Sequence, residues 1–188
     1  MILAQLKEAT KQQHDQLEST VNVMDQLFSL DDYKGLLIRF HRFYKAFEPK
    51  LPENELKAAG FDYSVRRKAP LLEADLRALN GTSLSNVDGF DGVPDVTTLS
   101  KAFGSLYVIE GSTLGGQVIT RHLKQHLNLE VENGGTFFNS YGSNVGPMWR
   151  SFGEAITAFA ASGENNDEIV QCARDTFESI RLCMSEPA

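Results

Sequence analysis

Apolar residues recur at spacings of three and four along nearly the whole chain, and two-residue alternation is weak, so the sequence reads as helical from end to end. The first segment shows the pattern: Leu3, Leu6, Thr10, His14, Leu17 and Val21 form one stripe. That stripe predicts a single amphipathic helix with His14 on its inward face. In "SLDD", Ser29 caps a second helix and Asp32 takes the acidic place of a capping box. This helix continues through "YKGLLIRFHRFYKAF" and is halted by Pro49 and Pro52. A short helix is expected near 54–59, ending at Gly60. Another spans "APLLEADLRALNG", with Pro70 in its first turn and Gly81 just past its end. Residues 81–96, rich in Gly, Ser and Asp, read as a loop. Thr97 or Thr98 then caps a long helix, "LSKAFGSLYVIEGSTLGGQVITRHLKQHL". The stretch "NGGTFFNSYGSNVG" reads as a loop, a helix starts at Pro147, and a last helix covers roughly 167–184. The expectation is an all-α fold, one domain over 1–188, of about six to eight helices.

Composition narrows the function classes. A chain of 188 residues, 41% hydrophobic, can bury a core without staples. A net charge of −7 and a pI near 5.1 argue against nucleic acid as a partner, and the only basic run, Arg66 to Lys68, is short. Cys172 and Cys183 lie about 16 Å apart if one helix carries both, too far for a disulfide. Free thiols fit a reducing cytoplasm. The opening "MILAQLKEATK" lacks the pattern of a signal peptide, and no apolar run is long enough to span a membrane. Motifs for hydrolase, thiol-redox, nucleotide and carboxylate-bridged di-iron chemistry are missing.

Two anomalies remain. Gly104, Gly111, Gly115 and Gly116 fall inside the long helix, where together they cost roughly 3–4 kcal/mol relative to alanine. Either a helix crosses there closely or a flat ligand does. Ser112 and Thr113 add hydroxyls that can bond local carbonyls or a water. The second anomaly is His14, with Lys11 three residues back and Lys7 seven. Imidazole is a common iron ligand, and Glu18 one turn later can hold its other nitrogen. His122 and His126 are read as surface residues and His41 as core-rim. Arg39, Arg42 and Lys45 form a basic strip, read as a solvated helix face or as a place to steer an acidic partner.

The segment "LKEATKQQHDQLE" resembles the opening helix of heme oxygenases, "RKAPLLEADL" resembles a segment preceding the family's distal helix, and "GSTLGGQVI" is similar to that glycine-bearing distal helix. The resemblance is to the soluble bacterial type. It implies that heme is both substrate and cofactor, opened with O2 and electrons from a ferredoxin or flavin reductase to biliverdin, ferrous iron and CO. It implies His14 as the axial iron ligand, with Glu18 beside it, and Gly111, Ser112 and Gly115 over the distal face. Thr113, Gly116 and Phe177 would also line the heme, with Lys7, Lys11 and Arg150 toward the propionates. Many members carry an aspartate where this chain has Ser112, so water would have to deliver protons. A bilin-accepting phytochrome is a further implied partner. The alternatives are a heme-binding or heme-sensing protein without turnover, and a bundle binding another planar ligand, as thiamine-related helical enzymes do.

Overall fold

The computed structural model describes residues 1–22, 29–79, 89–163 and 165–187. Among these residues the fold is all-α. Seven helices have eight residues or more: α1 (Ile2–Ala9), α2 (Lys11–Val21), α3 (Leu30–Phe47), α5 (Ala69–Ala78), α6 (Leu99–Leu127), α8 (Val145–Phe159) and α9 (Asn166–Ser185). Two are shorter, α4 (Glu53–Ala58) and α7 (Thr136–Asn139). No helix among the described residues is long and apolar enough to cross a membrane.

The expected first helix is two. It breaks at Thr10, whose φ of −110° and ψ of 5° leave the helical region while its hydroxyl donates to the Leu6 carbonyl at 2.8 Å. A threonine that bonds back one turn bends a helix, and the spacing of the apolar stripe does not register the bend. The capping box of α3 is present, with Asp32 N–H donating to Ser29 Oγ at 3.1 Å and Ser29 N–H to Asp32 Oδ2 at 3.1 Å. Thr98, not Thr97, caps α6. The helix expected from Pro147 begins two residues earlier, at Val145, because proline is tolerated in a first turn. The expected loop "NGGTFFNSYGSNVG" contains α7, which Asp75 holds: its carboxylate accepts from the Thr136 and Phe137 amides at 2.8 and 2.7 Å. Gly81 and part of the 81–96 loop lie outside the described residues; 89–96 contain no helix or strand.

The core surrounds α6, which packs on α9, α8 and α7. Helix α2 leans on α9, and α3 packs against α5 and α9. Two of the four glycines of α6 are explained here. A Cβ on Gly104 would stand 2.3 Å from the Ile169 carbonyl oxygen, and one on Gly116 would stand 2.2 Å from that of Phe138. Both collisions are with backbone, which cannot step aside. Gly104→Ala and Gly116→Ala are therefore expected to destabilise the chain by about 1–3 kcal/mol each, read from urea midpoints, despite alanine's better helix propensity. Cys172 and Cys183 are free and buried, and burial pushes the Cys183 thiol up to about 11.

Candidate functional site

The other two glycines face space. At 100° per residue, Tyr107, Gly111, Leu114, Gly115 and Val118 share one side of α6. A Cβ on Gly115 would meet nothing within 4 Å, and one on Gly111 would meet only the Trp149 ring, at 3.8 Å. Beside them Leu114 is 44% exposed and Val118 50%. A helix face that gives up side chains at two positions and leaves large apolar ones uncovered at two more is shaped for a flat apolar ligand.

Helix α2 supplies a second wall. Thr10 lies close to Tyr107, whose ring is 5.9 Å from that of Trp149. Thr10 precedes His14 by one turn, and Tyr107 precedes Gly111 by one turn. The next turn of each helix brings His14 and Gly111. The His14 ring meets Phe177 of α9 edge-on at 5.8 Å and is half exposed. Its Nδ1 lies 3.7 Å from Glu18 Oε2 and 3.8 Å from Asp15 Oδ1. Those carboxylates sit on the Nδ1 side, so Nε2 is the nitrogen a metal would take.

Ser112 lies at the rim of the open face. Its hydroxyl donates to the Ile109 carbonyl at 2.8 Å, and Tyr44 of α3 lies close by. Behind Tyr44 is a buried polar cluster that composition concealed. Arg66 Nη1 donates to Glu110 Oε2 at 2.5 Å, and the Tyr141 hydroxyl donates to Glu110 Oε1 at 2.8 Å. Arg66 also reaches the Met148 carbonyl and Ser151 of α8. Glu48 accepts from the Lys68 amide at 2.5 Å and the Tyr63 hydroxyl at 3.0 Å, and burial raises its carboxyl above the usual range. The Lys68 ammonium lies 3.8 Å over the Tyr141 ring, and burial lowers it to about 8. Breaking such a pair from one side costs about 3–5 kcal/mol, since the survivor is left charged and buried.

Of the residues singled out in the sequence, Gly111, Ser112 and Gly115 lie on or beside the open face of α6, and His14 and Glu18 lie on α2, with His14 against Phe177 of α9. Thr113 and Gly116 are buried on the packed side of α6, and the Thr113 hydroxyl donates to the Glu110 carbonyl at 2.6 Å. Arg150 lines an open pocket of about 700 Å³ with Leu3, Trp149 and Gly153, adjoining the cleft at Trp149. Lys7 is exposed on α1, and Lys11 lines a polar groove with Glu178 and Arg181 of α9. Tyr107, Trp149 and Thr10 were not anticipated, because an aromatic or a threonine at helical spacing carries no mark of a site.

Other expectations change. His41 is buried in the core, not at its rim, 3.5 Å from Glu73. His126 is exposed as expected, but His122 is buried, with its ring 4.3 Å from that of His126. The basic strip is partly neutralised, since Arg42 pairs with Glu186 at 2.8 Å. Arg66 and Lys68, two of the three residues of the short basic run, are internal.

The family model described as heme oxygenase matches residues 1–186. A heme oxygenase of Xanthomonas campestris pv. campestris (strain 8004) is 37% identical over 95 residues, which is 50% of this chain and 54% of that relative. The matched stretch thus spans about half the length of that curated relative. Among solved structures, the NO- and CO-bound heme oxygenase of Neisseria meningitidis superposes with a TM-score of 0.84 at 25% identity, over 98% of this chain and 90% of that one. Heme oxygenase-1 of the cyanobacterium Synechocystis, solved with heme, gives 0.77 at 18%, over 97% and 90%, and speaks for the fold alone.

Proposed function

Because the chain belongs to the heme oxygenase family, we propose that it binds heme between α2 and α6 and opens the ring oxidatively to biliverdin, ferrous iron and CO. The observation that carries this reading is the uncovered face of α6. Gly111 and Gly115 present bare backbone where any larger side chain would fill the cleft, beside exposed Leu114 and Val118. Bound heme supplies the iron at which O2 is reduced and the porphyrin carbon that is oxidised.

The chain's own residues have separable tasks. His14 would hold the iron through Nε2, with Glu18 and Asp15, 3.7 and 3.8 Å from Nδ1, favouring the tautomer that leaves Nε2 free. Phe177 meets the imidazole edge-on and limits its rotation. Leu114 and Val118 exclude bulk water from one ring edge, and the glycine backbone sets how near the other ring face can come. Ser112 replaces a carboxylic acid with a hydroxyl, so it orients a water and does not itself supply a proton. Lys7 and Arg150 are the cations we assign to the propionates. Electrons come from a ferredoxin or a flavin reductase.

The test is turnover. The ferric heme complex, supplied with ascorbate or a ferredoxin system in air, is expected to lose its Soret band and gain biliverdin absorption with release of CO. A Soret band that persists unchanged under reductant would refute the enzyme reading.

A further inference from the structure

Helix α2 carries the histidine assigned to the iron, yet none of its eleven residues is buried. Apolar burial therefore does little to fix where it stands, and a segment so lightly packed shifts unless polar contacts hold it. Such a contact comes from α9. Ala9 closes α1, immediately before the break at Thr10. Carbonyls at the end of a helix are released from its hydrogen-bond ladder and form the negative pole of its dipole, so they attract a cationic donor. The half-buried Arg174 of α9 supplies one, its Nε–H donating to the Ala9 carbonyl at 2.9 Å. Among the described residues Arg174 meets no carboxylate, so its charge-assisted hydrogen bond is spent on that carbonyl. Phe177 stands one turn further along α9 and meets the His14 ring edge-on. One turn of α9 thus touches the chain at both the elbow and the imidazole.

We propose that Arg174 is a positioning residue: it pins the elbow between α1 and α2 and thereby sets how squarely the His14 imidazole meets the iron. The inference rests on the heme reading above. An edge-on ring contact tolerates sliding of α2 along its own axis. A hydrogen bond to the backbone just before α2 does not, because it weakens steeply once its length and angle are lost. Without that bond α2 can move by a fraction of an ångström while still packed. Such a shift weakens an axial bond and slows a reaction that depends on placement.

Glutamine places an N–H donor, and methionine a methyl group, at the same number of bonds from the backbone as Arg174 Nε. In Arg174→Met the iron–imidazole stretching band of the ferrous heme complex, read by resonance Raman, is expected to shift and broaden. Turnover with ascorbate in air is expected to fall roughly tenfold. Arg174→Gln, which regains the directed N–H without the charge, is expected to restore the parent's band and most of the turnover. Urea midpoints of the empty chains separate placement from folding, since a variant that merely folds less well keeps the parent's band in its folded complex. Arg174→Met with the parent's band and turnover overturns the proposal. So does Arg174→Gln as impaired as Arg174→Met, because charge and not a directed N–H would then be at work. A parent complex that shows no iron–imidazole band overturns the reading of the cleft itself, and this assignment falls with it.

Discussion

Replacing His14 by alanine is expected to leave a folded chain that binds heme without its axial nitrogen. The side chain is 53% exposed and touches Phe177 only edge-on, so its loss should change unfolding free energy by no more than about 0.5 kcal/mol. The effect falls on the ligand instead. The ferric Soret band should shift, and the electron paramagnetic resonance spectrum should lose the signature of nitrogen ligation. Ring opening should slow by roughly a hundredfold or more, since a reacting centre that is no longer held in place loses that much by misplacement alone. Added imidazole is expected to restore ligation in part. An unshifted spectrum with parental turnover would mean that another group holds the iron.

The second large effect is expected at Gly115. A Cβ there meets no atom within 4 Å, so Gly115→Leu should cost the empty chain nothing and raise its stability by up to about 1 kcal/mol through helix propensity. The same side chain would stand in the space assigned to the ring. Heme affinity measured by hemin titration is expected to fall roughly a hundredfold, about 2.7 kcal/mol, with Gly115→Ala intermediate. A variant more stable when empty but poorer at binding is the sign of a residue kept small for a ligand. If Gly115→Leu bound heme as the parent does, the open face would have another purpose. The contrast with Gly104 and Gly116 is internal to one helix: those two are expected to lose stability on gaining the same methyl group.

That contrast also marks what the sequence could tell. Four glycines in one helix announce themselves because each violates helix propensity, so a close approach was legible. Which glycine meets a helix and which meets space was not, because the deciding atoms, the Ile169 and Phe138 carbonyls, lie far away in the chain. His14 stood out for a similar reason, a polar ring on an apolar stripe, but the break at Thr10 did not, since threonine fits the stripe either way. Nothing in the short basic run marks Arg66 and Lys68 as buried. Only the packing of the segment before α5 against α6 and Tyr141 makes them internal, and a three-residue basic run looks the same in either setting. Glu110 carried a hint: an acid that follows the apolar run Leu106–Ile109 in the helix needs a partner. The helices themselves were largely legible, because caps such as Ser29 and breakers such as Pro49 act locally.

The account stands on where the ring sits, and a crystal structure of the ferric heme complex tests that most directly. It predicts planar density between α2 and α6, with His14 Nε2 bonded to the iron and the opposite ring face against the backbone of Gly111 and Gly115. Density in the polar groove of Lys11 and Arg181, or an iron with His14 turned away from it, would contradict the account.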